Sequence, residues 1–252
     1  MRLSACIEWL FAAEEPDIVR RVHRAAAARL DAVEFWTWRD KPLDALEAAL
    51  RATGISLTAI CAEPMIDLTD AANRDAFLTG LAASIATARR LGARILIAQA
   101  GDDLPGVDRQ TQRRALVATL QAAAGLLAGT GIVLGLEPLN TSIDHPGYFL
   151  SSTHEGLDIV DAVGRPEIGL VYDVYHSAVM GETTETVLAG RVDRVVHVHI
   201  ADHPGRGAPG TGHIDLAHRL EWLTRNGYTG RVGLEYKPGG DTLATLAAAR
   251  EI

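Results

Sequence analysis

Only two cysteines, Cys6 and Cys61, occur in 252 residues. That is too few for a disulfide framework, and they lack metal-site spacing, so both are expected as buried thiols of a reduced, cytoplasmic protein. Basic charge is also short: 24 Lys and Arg face 32 Asp and Glu, a formal net charge of −8. A nucleic-acid partner, which needs a basic stripe, is therefore not expected, although a local anion site is compatible with that balance. The N-terminal stretch from Met1 to Phe11 has one early Arg and an apolar run broken by Glu8, so it lacks a signal-peptide core. No uninterrupted span points to a membrane. The 22 uncharged residues from Ala115 to Leu136 include Thr119 and Gln121 and are broken by Gly129-Thr130-Gly131, which predicts a helix, a turn and a strand. Finally, the first strand candidate is followed by Cys6-Ile7-Glu8-Trp9-Leu10-Phe11 and not by a glycine-rich phosphate loop. That counts against a doubly wound nucleotide-binding sheet, the nearest competing fold.

What is present is a globular composition, 48% hydrophobic and 22% charged. A chain of this length buries roughly 70–75% of its unfolded surface and needs no cross-links. Short β-branched runs alternate with Ala/Leu/Arg-rich segments. Strands are predicted at 3–7, 32–36, 56–61, 94–98, 132–137, 168–173, 195–200 and 231–236. Helices are predicted around 16–29, 42–53, 70–91, 108–128, 153–163, 183–190, 214–226 and 241–250, with Gly54, Gly92, Gly129, Gly164 and Gly227 as end signals. Nearly continuous apolar strands such as Arg94–Ala98 imply cover on both faces. Eight β–α units without a linker predict one domain over residues 1–252, a single (β/α)8 TIM barrel of the α/β class.

In such a barrel the chemistry sits at the C-terminal strand ends. Four successive apolar runs end in ionisable groups: Glu137, Asp173, the pair His197 and His199, and Glu235. Adjacent strand ends lie about 5 Å apart, so the groups can converge. Three carboxylates and an imidazole would repel one another without a cation. Oxygen and nitrogen donors of that kind suit Mn²⁺, Mg²⁺ or Co²⁺, with Glu137, Asp173, His199 and Glu235 as ligands. His197 lies two residues deeper on the same face, as a support for the ligands or as a core histidine. Trp9, Phe11, Trp36 and Trp38 follow the first two strands, where they line the mouth, pack, or meet a second subunit. Tyr172 and Tyr175 flank Asp173.

The motifs Glu137-Pro-Leu-Asn140, Tyr172-Asp-Val-Tyr-His176, His197-Val-His-Ile-Ala-Asp202, Gly210-Thr-Gly-His-Ile-Asp215 and Glu235-Tyr-Lys-Pro238 resemble those of hydroxypyruvate isomerases. These belong to the xylose isomerase-like barrels, together with ketose 3-epimerases and an endonuclease family. The resemblance runs along nearly the whole chain. It implies that Glu137 and Glu235 are both metal ligands and the acid/base pair, and that Asp173 and the strand-seven residue complete the metal site. It also implies that His176 and Arg206 contact substrate oxygens, with Lys237 close by. The epimerases carry a further carboxylate six residues after the strand-five Glu; here that position is Ile143, followed by Asp144. The third strand ends Ile60-Cys61-Ala62-Glu63-Pro64, departing from the polar pair common in the isomerases.

The expected activity is a metal-dependent shift of a carbonyl along an α-hydroxy carbonyl acid, hydroxypyruvate to tartronate semialdehyde, through an enediolate. Arg206, in the loop His203-Pro-Gly-Arg-Gly-Ala-Pro-Gly210, suits a bidentate grip on the substrate carboxylate, or else is a surface residue of that loop. The partners expected are a small hydroxy or oxo acid or a sugar, with no nucleic acid and no membrane, and a homo-oligomer as the protein assembly. Competing readings are a 2-oxo-tetronate isomerase, a ketose 3-epimerase, or a barrel that binds a metal or sugar acid without turnover.

Overall fold

The computed structural model describes residues 2–252. In chain order it runs β1 (Arg2–Cys6), α1 (Ile18–Ala27), β2 (Ala32–Glu34), α2 (Leu43–Thr53), β3 (Ser56–Leu57), β4 (Ala59–Cys61), α3 (Arg74–Leu91), β5 (Ile95–Gln99) and α4 (Arg109–Leu127). It continues with β6 (Val133–Glu137), α5 (Thr153–Val163), β7 (Ile168–Asp173), α6 (Val174–Val179), α7 (Thr184–Leu188), β8 (Val195–Ile200), α8 (Leu216–Arg225), β9 (Arg231–Leu234) and α9 (Thr242–Ala249). The strands pair in parallel in the order β3-β2-β1-β9-β8-β7-β6-β5-β4.

The expected barrel is there, with one refinement. The third strand, read as 56–61, is split at Thr58 into β3, which pairs with β2, and β4, which pairs with β5. The seam between β2 and β4 closes through the bonds from Phe35 N to Ala59 O and from Cys61 N to Trp36 O. Eight strand positions are thus made from nine segments.

Apolar periodicity explains the layers. The helices turn Val22, Leu46, Leu81, Leu116, Leu157 and Leu220 onto the outer faces of the strands, where all are buried. The strands' inward faces carry a smaller cluster of Ala59, Cys61, Ile97 and Val171, bordered by Trp36. Of the glycine end signals, Gly54, Gly92 and Gly164 cap α2, α3 and α5 directly, whereas Gly129 and Gly227 follow the caps Ala128 and Asn226. The uncharged 115–136 stretch is the end of α4, a turn and most of β6, as its Gly-Thr-Gly break predicts. Among the described residues no helix is long and apolar enough to cross a membrane.

One helix was not foreseen. Asp173 ends β7 and at once caps α6, its Oδ1 accepting from Tyr175 N at 2.7 Å and His176 N at 3.0 Å. That turn brings His176 back over the strand ends.

Candidate active site

A cleft of about 490 Å³ opens at the C-terminal ends of the strands, with Trp9, Trp36, Glu137, His176, His199, Arg206 and Glu235 in its wall. Glu137 ends β6, Asp173 ends β7, His199 lies on β8, and Glu235 follows β9. Each offers one ligand atom, all within 4.8 Å of one another, and all four residues are buried. His199 Nδ1 is at the centre, 3.0 Å from Glu137 Oε1 and 3.6 Å from Glu235 Oε2. Burial disfavours a charged imidazole, but Glu235, Glu137 and Glu34 around it raise the His199 pKa well above the usual histidine value. The set contains no thiolate, and its convergence of negative charge fits a hard divalent cation.

Arg206 is buried to 8% exposure. Its Nη2 donates to Glu235 Oε2 and lies 3.4 Å from Asp173 Oδ2, and the guanidinium sits between the Trp9 ring, 4.8 Å away, and the Tyr175 ring, 5.3 Å away. Burial works against the cation, yet the Glu235 and Asp173 carboxylates raise its pKa, so the group stays charged. Its backbone has φ +55°, set within a loop that one carboxylate organises. Asp202 Oδ1 accepts from His203 N and Ile214 N, and Oδ2 accepts from Gly210 N and Gly212 N, at 2.8 to 3.0 Å. Only glycine serves at 212, where a Cβ would stand 2.2 Å from His203 O. Arg206 is therefore no mobile surface side chain.

His176 faces the same cleft. Its Nδ1 accepts from Asn140 N at 3.1 Å, which leaves Nε2 as the N–H. Nε2 is buried without a hydrogen-bond partner among the described residues, 3.6 Å from Asp173 Oδ2. Burial, reinforced by Arg206, lowers the His176 pKa to about 3, so it is a neutral donor at any physiological pH. Lys237, by contrast, is exposed and does not line the cleft; its Nζ lies 5.4 Å from the Trp9 ring, and its backbone N donates to Arg206 O.

Several residues that matter here were not singled out from the sequence as supports of the site. Trp36 Nε1 donates to Glu235 Oε1 at 2.6 Å, so its indole is tied to the site besides lining it. Tyr148 accepts from Ala100 N at 2.6 Å and donates to Glu137 O at 3.0 Å, stitching the ends of β5 and β6. Glu34, on β2, accepts from His197 Nε2 at 2.9 Å, so His197 is a buried, hydrogen-bonded histidine held by a carboxylate whose other oxygen lies 3.3 Å from His199 Nε2. Burial would raise the Glu34 carboxyl, but His197 and His199 outweigh it and hold it well below the usual carboxylate range. A carboxylate inside a short apolar strand was the one available signal.

The chain matches the xylose isomerase-like TIM barrel family over residues 22–252. It is 34% identical to a putative hydroxypyruvate isomerase of Mus musculus, covering 99% of this chain and 94% of the relative. The chain belongs to the hydroxypyruvate isomerase family of these barrels. It is 32% identical to the hydroxypyruvate isomerase of Escherichia coli K12, covering 98% of this chain and 97% of that protein. A crystal structure described as an AP endonuclease, family 2, from Brucella melitensis superimposes with a TM-score of 0.92 at 27% identity, covering 100% of this chain and 99% of the other. With this kinship the chain is an isomerase of the family.

Proposed function

We propose that this isomerase interconverts hydroxypyruvate and tartronate semialdehyde (2-hydroxy-3-oxopropanoate) and depends on one divalent cation, Mn²⁺, Mg²⁺ or Co²⁺. The observation that carries the reading is the buried convergence of Glu137, Asp173, His199 and Glu235 beside a buried Arg206. Those four residues would hold the cation, which when bound polarises the substrate oxygens and offsets charge that develops on them.

The protein's own groups divide the rest. Arg206 grips the substrate carboxylate with a planar fork of donors, and His176 Nε2–H donates to a substrate oxygen. One of the two glutamates takes a proton from C3 of hydroxypyruvate, and the C–H electron pair becomes the C2=C3 bond of an enediolate. The other glutamate delivers a proton to C2 while the hydroxyl hydrogen passes from O3 to O2, so the C3 carbonyl forms with no net gain or loss of atoms. Trp9 and Trp36 wall the site and exclude water.

A four-carbon 2-oxo acid is the second reading, favoured by one observation: a cleft of about 490 Å³ has room beyond a three-carbon acid. A ketose 3-epimerase is less well supported. Ile143 is 53% exposed, and the neighbouring Asp144 Oδ2 is taken up by Asn140 Nδ2 and Tyr175 OH at 2.7 and 2.8 Å.

The test is turnover with both acids, followed by NMR in D2O, on protein of known metal content. One ion per chain is expected, with activity lost on exhaustive chelation and restored by Mn²⁺. Full turnover by metal-free protein would refute the reading. Trp36→Phe, which removes one bond to a charged acceptor, is expected to lower kcat about tenfold or more with little change in KM. Unchanged kcat would mean that the indole only packs.

A further inference from the structure

Glu34 and His199 come from strands that are not neighbours. In the barrel order β2-β1-β9-β8, two strands stand between them. Cys6 pairs with Glu34, Ser4 with Gly233, and His199 with Gly233. Side chains in register on parallel strands share a face, and Ser4 and Cys6 share one by alternation. Glu34, Cys6, Ser4, Gly233 and His199 therefore all point into the barrel. Glu34 is 3% exposed there, a carboxylate that needs donors to be tolerated.

The two intervening strands leave a passage. A Cβ at Gly233 would stand 2.2 Å from Glu34 Oε1 and 2.6 Å from His199 Cδ2, so β9 must carry glycine where the contact crosses it. Through that gap Glu34 Oε1 reaches to 3.3 Å from His199 Nε2. Its other oxygen, Oε2, accepts from His197 Nε2 at 2.9 Å, and the two imidazoles meet edge to face with centroids 4.8 Å apart. Oε1 has no regular hydrogen bond among the described residues. It is a buried acceptor aimed at an imidazole whose other nitrogen lies 3.0 Å from Glu137 Oε1.

We infer that Glu34 is a positioning residue: its carboxylate takes the Nε2–H of His199 and so reserves Nδ1 for the cluster of Glu137, Asp173 and Glu235. A carboxylate can only accept, so a hydrogen on Nε2 is the one arrangement it stabilises. Once Nδ1, the atom 3.0 Å from Glu137 Oε1, faces a cation in place of a hydrogen, the ring keeps its hydrogen on Nε2 and its lone pair on Nδ1. His197, bound to the other oxygen, stops the carboxylate from rotating away. The inference rests on the reading that those four residues hold a cation.

The probe is Mn²⁺ alone, titrated into chelator-stripped protein and followed by the electron paramagnetic resonance of the free ion. Partners that orient a ligating histidine typically contribute 10–100-fold to metal affinity, and Glu34→Gln is expected to weaken Mn²⁺ by roughly that factor. The amide can donate to Nε2 and so favours the wrong tautomer, whereas Glu34→Asp should retain part of the affinity. Gly233→Ala, which blocks the passage without touching an ionisable group, should weaken Mn²⁺ as well. In Mg²⁺-loaded wild-type protein labelled with ¹⁵N-histidine, His199 should show its proton on Nε2. A folded Glu34→Gln variant that binds Mn²⁺ within about twofold of wild type, or a His199 proton on Nδ1, overturns the inference. If the variants do not fold, the wild-type spectrum decides. Wild-type protein that binds no Mn²⁺ overturns the metal-site reading itself, a result distinct from unchanged binding on substitution.

Discussion

Replacing either Glu137 or Glu235 by Gln is expected to lower kcat by roughly 10²–10⁴-fold, the usual range for loss of a general acid or base. Glutamine keeps the shape and one ligand oxygen but cannot carry the proton. Both carboxylates lie beside His199 Nδ1, at 3.0 and 3.6 Å, and the proposed reaction gives each one of the two proton transfers. The double variant should lose far less than the product of the single losses, because groups acting as a unit are not additive. Deuterium separates the roles. If two bases share the work, the variant lacking only the reprotonating group should still exchange solvent deuterium into one substrate carbon without releasing product. Measured by NMR at verified metal content, near wild-type turnover in both single variants would leave these glutamates as ligands or structural charges only.

Arg206→Ala should raise KM steeply. Truncating a buried, hydrogen-bonded charge typically costs about 2–5 kcal/mol, which is roughly 30- to 4,000-fold in binding. Arg206→Lys should recover only part, since an ammonium is a point charge without the fork that matches a carboxylate. The residue also pairs with Glu235 and Asp173, so steady-state kinetics must separate KM from kcat. Unchanged KM in Arg206→Ala would make the guanidinium a counter-ion of the acidic cluster and not a substrate contact.

The barrel was legible because alternation of apolar runs and amphipathic stretches is a local property. The strand-end groups were legible for a related reason: in Leu-Gly-Leu-Glu137 and Val-Tyr-Asp173 an ionisable residue closes an otherwise apolar run. What escaped depends on distance along the chain. The Trp36 indole meets a carboxylate 199 residues away, and Glu34 meets His197 across 163 residues, so neither partner can be read from local pattern. The short helix α6 was hidden because Asp173 is at once the last strand residue and the cap. Lys237, placed close to the site only by the resemblance, stands beyond the end of β9 with its side chain exposed and its Nζ 5.4 Å from the Trp9 ring.

Because one carboxylate, Asp202, engages four amides between residues 203 and 214, the loop that carries Arg206 is ordered by the fold itself. Ordering a free backbone costs on the order of 1–2 kcal/mol per residue. A very small ligand can return at most about 1.5 kcal/mol per non-hydrogen atom. The three-carbon acid proposed above would be too slight to organise such a loop. Folding does that work in advance: the entropy of the arginine loop is lost when Asp202 gathers its amides, and the ligand's few contacts are left free to discriminate and to bind.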